Sequence, residues 1–222
     1  QAIRVNEDMS IPELYQNTQP TLHRSDWIKA ARTELLVSGI QNVQVRKISS
    51  ALGVTTGAFY HVFKNLEELH NDLLNDWKVR NTEPFRKAIT DAAPDGRKQL
   101  IAYDSIIVFE KDYDPLYDSM IREWSHISLT VKDALRQIDA ERICLFQDIF
   151  INLGFIKKEA EIRAKVMYFH QIGYQTLRIE ESLCQRLMNI PYYAEILAGG
   201  PQKYPFDDSA GVLKLFKEIN EK

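Results

Sequence analysis

Residues 46–63 read RKISSALGVTTGAFYHVF, and this stretch decides the fold of the chain. Its first half predicts a short amphipathic helix, because Ile48 and Leu52 lie one turn apart on the same face. Gly53 follows, and glycine readily adopts the left-handed backbone with which many helices end. The pattern therefore predicts a helix that stops at a tight turn.

A second short helix is predicted over 56–61. Thr55 stands before it and has a side-chain oxygen that can accept a bond from an amide near the helix start. Phe59 is predicted to point to the core, while the N-terminal face of the helix is small, polar and uncharged. A helix of that kind can lie deep in the major groove of DNA. We interpret the second helix as a recognition helix; the alternative is a helical hairpin with a solvated face.

Candidate DNA contacts follow from the chemistry of the side chains in this segment. Lysine and arginine neutralise phosphates, whereas small polar groups at the groove-facing end can read base edges. The candidates are Arg46, Lys47, Thr55, Thr56, Gly57, Tyr60, His61 and Lys64.

Composition is that of a globular protein with one or two domains. The chain has 222 residues, of which 45% are hydrophobic and 27% charged. We expect no membrane segment, since no apolar run approaches the roughly 18 residues needed, and no signal peptide is visible. Cys144 and Cys184 fit neither a disulfide nor a metal pattern, so we expect a cytoplasmic protein without metal or cofactor.

Charge is unevenly distributed along the chain. The net charge is −3, but residues 21–64 hold six basic and two acidic side chains, a balance of +4. The remainder must then carry −7. A polarised chain of this kind can turn one end to phosphates and hold the other away.

Helical periodicity extends over most of the sequence and predicts an all-α fold. Ser25 is the expected N-cap of the first helix, and residues 1–20 are expected to form an arm. The predicted helices outside the turn segment are 24–38, 65–89, 95–112, 115–127, 129–153, 158–189 and 208–220, with a loop over 199–206.

The N-terminal segment 24–70 resembles, without a gap, the DNA-binding domain of the TetR family of bacterial transcriptional regulators. The resemblance is specific, because a generic helix-turn-helix does not need the Gly-x-Phe-Tyr run after the turn. The matching positions are Trp27 to Ala31, Leu35, Gly39, Ile40, Val43, Val45, Ile48, Leu52 to Thr55, Gly57, Phe59, Tyr60, Phe63 and Glu67 to Leu69.

Three positions depart from the family pattern. Gln44 stands where members usually carry a Ser or Thr cap, so that helix start should depend more on packing. Leu66 occupies a position often held by a phosphate-contacting lysine, with Lys64 two residues earlier. Ser49 replaces a common alanine and should be tolerated.

The resemblance implies a three-helix DNA-binding head over 21–66 and a larger helical body over 67–222 that binds an effector and dimerises. It implies a ligand-responsive, sequence-specific regulator, a repressor released by a small molecule from a palindromic operator, and not an enzyme. Aromatic and histidine side chains of the body are candidates for the effector pocket, although aromatic residues at helical spacing often form plain core. These candidates are Tyr113, Tyr117, Trp124, His126, Phe146 and His170.

An apolar stripe runs along the predicted helix from 158. It consists of Ile162, Val166, Phe169, Gly173 and Leu177, at intervals of 4, 3, 4 and 4. Such a stripe suits helix-on-helix packing, and Gly173 permits close approach. It can belong to a homodimer interface, as the resemblance implies, or to an internal core.

Two other classes of function remain open. One is a helical small-molecule-binding protein or enzyme, although no nucleophile with a nearby base, phosphate-binding glycine loop or pair of carboxylates in an apolar context is visible. The other is a scaffold that keeps the family shape but has lost DNA binding, which the departure at Leu66 keeps in view.

Overall fold

The computed structural model describes residues 22–110 and 112–199, together with Ala210, Gly211, Leu213, Lys214 and Lys217. Over the two continuous ranges the chain folds into α-helices without a β-strand, which confirms the predicted all-α class. The predicted arm 1–20 and most of the predicted final helix lie outside the described residues. The helices are α1 (Arg24–Ser38), α2 (Val45–Ala51), α3 (Thr56–Tyr60), α4 (Leu66–Asp91), α5 (Gly96–Phe109), α6 (Pro115–Ser125), α7 (Leu129–Asn152), α8 (Lys157–Thr176) and α9 (Leu183–Ala198), with a 3₁₀ turn over Ile40–Asn42.

Helix α1 has the predicted bounds, but its cap is different. His23 is the N-cap, and the Asp26 side chain accepts a hydrogen bond from the His23 backbone N–H at 2.8 Å. Ser25 lies inside the helix, so its prediction as the cap is wrong. A carboxylate three residues into the helix can reach back to the N-cap amide, whereas Ser25 is already past it.

Helix α4 joins the N-terminal helices to the rest of the chain and begins as predicted. Asn65 is its N-cap, and the Asn65 side chain accepts from the Glu68 amide at 2.9 Å. Leu73 and Trp77 are buried along it, whereas Val79 is 60% exposed. Its position, two residues beyond Trp77, turns it about 200° around the helix.

The segment 158–189 is not one helix as predicted, because α8 ends at Thr176 and α9 starts at Leu183. Arg178 in the connection has a φ of 50°, a left-handed conformation that a continuous helix excludes. Ser182 then caps α9, accepting from the Gln185 amide at 3.3 Å, while the Gln185 side chain accepts from the Ser182 amide at 2.9 Å.

Two hydrophobic clusters organise the packing. The head core contains residues of α1, α2 and α3, of the first half of α4, of α6 and of the start of α7. Its members include Trp27, Phe59, Trp77, Tyr117 and Ile138. The body core joins the second half of α4 with α5, α7, α8 and α9. The helix-turn-helix segment is therefore sealed partly by helices that lie far along the chain. None of the described helices is long and apolar enough to cross a membrane.

Candidate DNA interface and body cavity

Helix α3 has five residues and is held by one aromatic anchor. Phe59 is fully buried, with its ring centroid 5.4 Å from that of Trp27 and 5.1 Å from that of Phe63. This burial confirms the predicted orientation of Phe59. Because one side chain is fixed in the core, the opposite face of α3 is presented to solvent in a defined direction.

The turn before α3 forms as predicted, but its cap does not. Gly53 has a φ of 69°, and the Val54 amide donates to the Ser49 carbonyl at 3.0 Å. Thr55 is the N-cap of α3, yet its side chain accepts no capping bond; the Ala58 amide donates instead to the Thr55 carbonyl at 3.1 Å. The predicted capping role of the Thr55 hydroxyl is therefore wrong, since a backbone carbonyl satisfies the amide.

All eight candidate DNA contacts are exposed. They lie on α2, on α3 and in the turns that flank α3, which places them along one continuous piece of backbone. Tyr60 is 61% exposed, and its ring edge rests against Phe59 with centroids 5.2 Å apart. The Tyr60 hydroxyl is therefore carried on a supported ring rather than on a free side chain.

Three of the six cations counted in residues 21–64 are already paired. Arg24 contacts Asp72 at 2.5 Å and Glu68 at 2.8 Å, and Arg32 contacts Asp76 at 2.7 Å, so both tie α1 to α4. Lys47 donates to the Asn42 side chain at 2.6 Å and lies 3.5 Å from Glu34. The positive charge of the head is thus smaller at its surface than the sequence count indicates.

Arg46 and Lys64 are different, because neither forms an ion pair with another residue of the described ranges. Both side chains are exposed, one on α2 and one just after α3. The half-buried Leu66 at the departed position packs against the head core and has no donor to offer a phosphate.

A cavity opens in the body between α5, α8 and α9. The space that a water-sized sphere can enter is about 110 Å³, so the cavity is small for a ligand site and widens only at its open mouth. Tyr113 and His170, two of the six predicted pocket residues, line it. Further lining side chains are Tyr103, Asp104, Met167, Gln171, Tyr174, Gln175, Glu181, Arg186 and Tyr193.

The other four predicted pocket residues lie elsewhere, so the six do not form one site. Tyr117 is fully buried and donates to the Leu73 carbonyl at 2.7 Å, while Phe146 is buried in the body core. Trp124 packs edge-on against the His70 ring, with centroids 5.4 Å apart. His126 is exposed at the end of α6. Aromatic residues at helical spacing are used here mainly as core.

The predictions missed several lining residues because they treated 158–189 as one helix. With the break at 177–182, Glu181 in the connection and Arg186 and Tyr193 on α9 come to face α5 and α8. The Ser182-x-x-Gln185 pattern was the signal of a helix start that could have revealed the break.

A buried ion pair beside the cavity was also missed. The Asp118 and Arg142 side chains lie 2.6 Å apart and are both fully buried. Burial alone would raise the pKa of Asp118, but the Arg142 charge and the surrounding donors outweigh burial and lower it. Asp118 also accepts from the indole N–H of Trp77 at 2.6 Å and from the Tyr113 hydroxyl at 3.1 Å. The carboxylate therefore joins α4, α6, α7 and the cavity wall.

No cluster of His, Cys, Asp and Glu side chains in the described part of the chain is arranged to hold a metal ion. Cys144 and Cys184 are exposed free thiols.

Comparison with known proteins gives the N-terminal segment a family. Residues 28–73 match the sequence model described as bacterial regulatory proteins, tetR family. No curated protein sequence matches the chain.

Solved structures share the fold. A protein described as a transcriptional regulator from Pseudomonas aeruginosa PAO1 is 17% identical, with 80% of this chain and 91% of that chain covered and a TM-score of 0.61. Reduced NemR from E. coli is 14% identical, with 88% and 96% covered and a TM-score of 0.58. A protein described as a TetR-family regulator from Rhodococcus sp. is 18% identical, with 79% and 95% covered and a TM-score of 0.55.

The sequence match covers the helix-turn-helix and the start of α4, where Phe59 is buried and the opposite face is exposed. The family consists of transcriptional regulators rather than enzymes. Residues 28–73 are therefore a helix-turn-helix domain of the tetR type of bacterial regulatory proteins, joined to a helical body whose fold is shared with the solved structures.

Proposed function

We propose that this protein is a repressor that binds a palindromic operator as a homodimer and is released by a small molecule. The observation that carries the proposal is the exposed face of α3, with Thr56, Gly57 and Tyr60 outward and Phe59 fixed in the core. Two such helices would enter successive major grooves roughly 34–36 Å apart, which requires an inverted repeat in the DNA.

Within this proposal the exposed groups on and around α3 divide into two kinds. Arg46 and Lys64 would neutralise phosphates, since neither is paired within the described chain. Thr55 and Thr56 would face base edges, since the hydroxyl of Thr55 is not used in capping. His61 and Lys47 would contact the phosphate backbone of the DNA on the flanks of the groove.

The homodimer is supported by apolar side chains left exposed on α8 and α9. Phe169 is 61% exposed, Tyr192 68% and Ile196 72%. Gly173 lies on the same stripe of α8, and a Cβ atom added there would meet nothing within 4 Å. So many large apolar side chains exposed on two neighbouring helices are unusual on a monomer. Ile162, Val166, Leu177 and Met188 extend it.

A physical link between the cavity and α4 supports the response to an effector. The Gln171 side chain on the cavity wall donates to the Tyr113 hydroxyl at 3.0 Å, and that hydroxyl donates to Asp118 at 3.1 Å. Asp118 in turn accepts from Trp77 and, at 3.0 Å, from Asn81 on α4. An effector that moved Tyr113 would thereby move the helix that carries the head.

A coupling of about 1–3 kcal/mol is typical of allosteric proteins and would change operator affinity about 5- to 150-fold. The effector would act by preferring the body conformation in which the two heads are wrongly spaced.

A gel-shift titration with the DNA upstream of the chain's own gene tests the proposal. We expect a specific complex of two chains per duplex, and we expect Lys64→Ala to lower the logarithmic salt slope by roughly 0.9. Lys132→Ala is the matched control, because Lys132 is an exposed lysine on α7 in the body. An unchanged salt slope in Lys64→Ala, or an equal loss in both variants, would contradict the phosphate role. Failure of every duplex to bind would favour a scaffold that has lost DNA binding.

A further inference from the structure

We propose that the effector is an organic cation with an aromatic or other flat apolar body, bound between Glu181 and the rings of Tyr174 and Tyr193. The inference rests on the proposed function, because it names the ligand class of the effector cavity.

The charged side chains that line the cavity favour a cationic ligand over an anionic one. The described lining of the cavity holds three carboxylates, those of Asp104, Glu110 and Glu181, and one guanidinium, that of Arg186. Arg186 lies 2.7 Å from Glu110 and also donates to the Val108 carbonyl at 3.3 Å. Arg186 offsets the charge of Glu110, so the single guanidinium of the described lining is already engaged. An anionic ligand would have to draw Arg186 away from Glu110.

Glu181 is held in place by neutral donors. It accepts from the Tyr174 hydroxyl at 2.8 Å and from the Asn189 side chain at 3.2 Å. Neither donor carries a charge, and Glu181 forms no ion pair with another residue in the described part of the chain. The carboxylate is thus oriented by neutral groups, and no cation among the described residues pairs with it. A carboxylate has room for a further donor, which an ammonium group would supply.

Aromatic rings surround that carboxylate. The His170 ring centroid lies 4.6 Å from that of Tyr193 and 6.2 Å from that of Tyr174. Burial lowers the pKa of His170, which keeps its imidazole neutral at physiological pH. The wall therefore offers electron-rich rings, and the guanidinium that lines the same cavity, Arg186, is engaged with Glu110. Ring faces of this kind attract cations and stack on flat ligands.

Apolar side chains complete the cavity and set the shape of the ligand. Ile107, Met167, Ile190 and Leu197 also line it. A flat apolar body would rest there, with its cationic group directed to Glu181. The same body would lie against the helix that contributes Gln171 and Gln175, both of which donate to the Tyr113 hydroxyl.

The test compares three probes that share a ring system and differ in charge. Naphthylmethylammonium, naphthylmethanol and naphthoate are titrated by calorimetry into the full-length protein. We expect the cation to bind about tenfold more tightly than either of the others, since a hydrogen bond to a charged acceptor is worth roughly that factor or more. In Glu181→Gln the cation should lose about tenfold in affinity while the alcohol is unchanged.

Glu180→Gln is the matched control, because it removes the same charge from an exposed neighbour that does not line the cavity. Urea unfolding of both variants shows whether the fold is kept. Tightest binding of naphthoate, equal losses in the two variants, or no binding of any probe would overturn the inference. Operator binding is measured on the same samples, so that failure of the ligand class is distinguished from failure of DNA binding.

Discussion

The junction between α1, α4 and α6 and the outer surface of α8 and α9 are built in opposite ways. At the junction the charged groups are paired, and aromatic side chains are fully buried, as in the Arg32–Asp76 contact and the burial of Tyr117. On α8 and α9, large apolar side chains such as Phe169 and Ile196 are mostly exposed. The first region is complete within a single chain, whereas the second gains stability only when another surface covers it. The position of the head is thus set inside one chain, whereas in the proposed homodimer the spacing between the two heads would be set by the contact between chains.

Removing the buried charge beside the junction should have the largest effect on folding. Asp118→Asn leaves Arg142 buried without a partner charge, which costs about 3–5 kcal/mol. The free energy of unfolding in urea measures it. Asp91→Asn is the control, since Asp91 is an exposed partner of Lys87 and its loss should change little. A small effect of Asp118→Asn would mean that the junction does not depend on this pair.

Phe169→Glu tests the other side of the comparison. A charge on the exposed α8 stripe should weaken self-association by about 100-fold, while the unfolding of the single chain changes little. Sedimentation equilibrium measures the dimer. Leu129→Glu is the control, because Leu129 is 78% exposed at the start of α7, away from the stripe. If Phe169→Glu self-associates as strongly as wild type and Leu129→Glu, the dimer interface lies elsewhere.

Gly96 lies in the packed interior of the body and Gly173 on the exposed stripe of α8, so alanine substitutions at the two positions test the same comparison. A Cβ atom at Gly96 would lie 2.6 Å from the Leu153 amide nitrogen and 2.8 Å from the Ile149 carbonyl oxygen. Gly96→Ala should therefore destabilise the body by about 1–3 kcal/mol, because backbone must shift. Gly173→Ala meets nothing in the single chain and should not destabilise the monomer. Thermal unfolding and dimer affinity separate the two, and equal destabilisation by both would contradict the packing described here.

The smallest effect is a dependence of stability on pH. Burial lowers the pKa of His70 and of His170 below the value of 6.5 for free histidine. As pH falls through 6.5, the unfolded chain takes up protons that the folded chain resists. The stability that the two neutral histidines contribute should therefore be fully present above pH 6.5 and decrease towards acid pH. Unfolding midpoints of wild type and of His70→Gln/His170→Gln across this range measure it. The double variant should show a shallower slope; an identical slope would assign the loss to other groups.

Local patterns in the sequence predicted the head and much of the body. The bounds of α1, the turn at Gly53, the anchor Phe59 and the start of α4 near Asn65 are each encoded by a few neighbouring residues. The Asp114–Pro115 start of α6 is encoded in the same way. Features that depend on distant residues were missed. The Asp118–Arg142 pair joins two helices 24 residues apart along the chain, and no periodicity reports it.

The cavity was predicted only in part for a similar reason. Its wall is formed after the chain reverses at Arg178, and a positive φ at an arginine has no strong sequence signal. Tyr117 and Phe146 are of residue types common in ligand-binding sites, but Tyr117 lies in the head core and Phe146 in the body core. Composition could identify aromatic residues, but only the packing of helices decides which of them face a cavity.

The extent of the head core has a consequence for engineering chimeric regulators. A fusion made at residue 66 would exchange the helices α1, α2 and α3 but keep α6 and α7, whose Ile121, Trp124 and Val131 belong to the same hydrophobic core as the exchanged part. The transplanted head would then pack against core residues of another protein whose shapes do not match. Exchanging these core residues together with the head would preserve the packing. DNA specificity could then be moved between regulators without destabilising the position of the recognition helix.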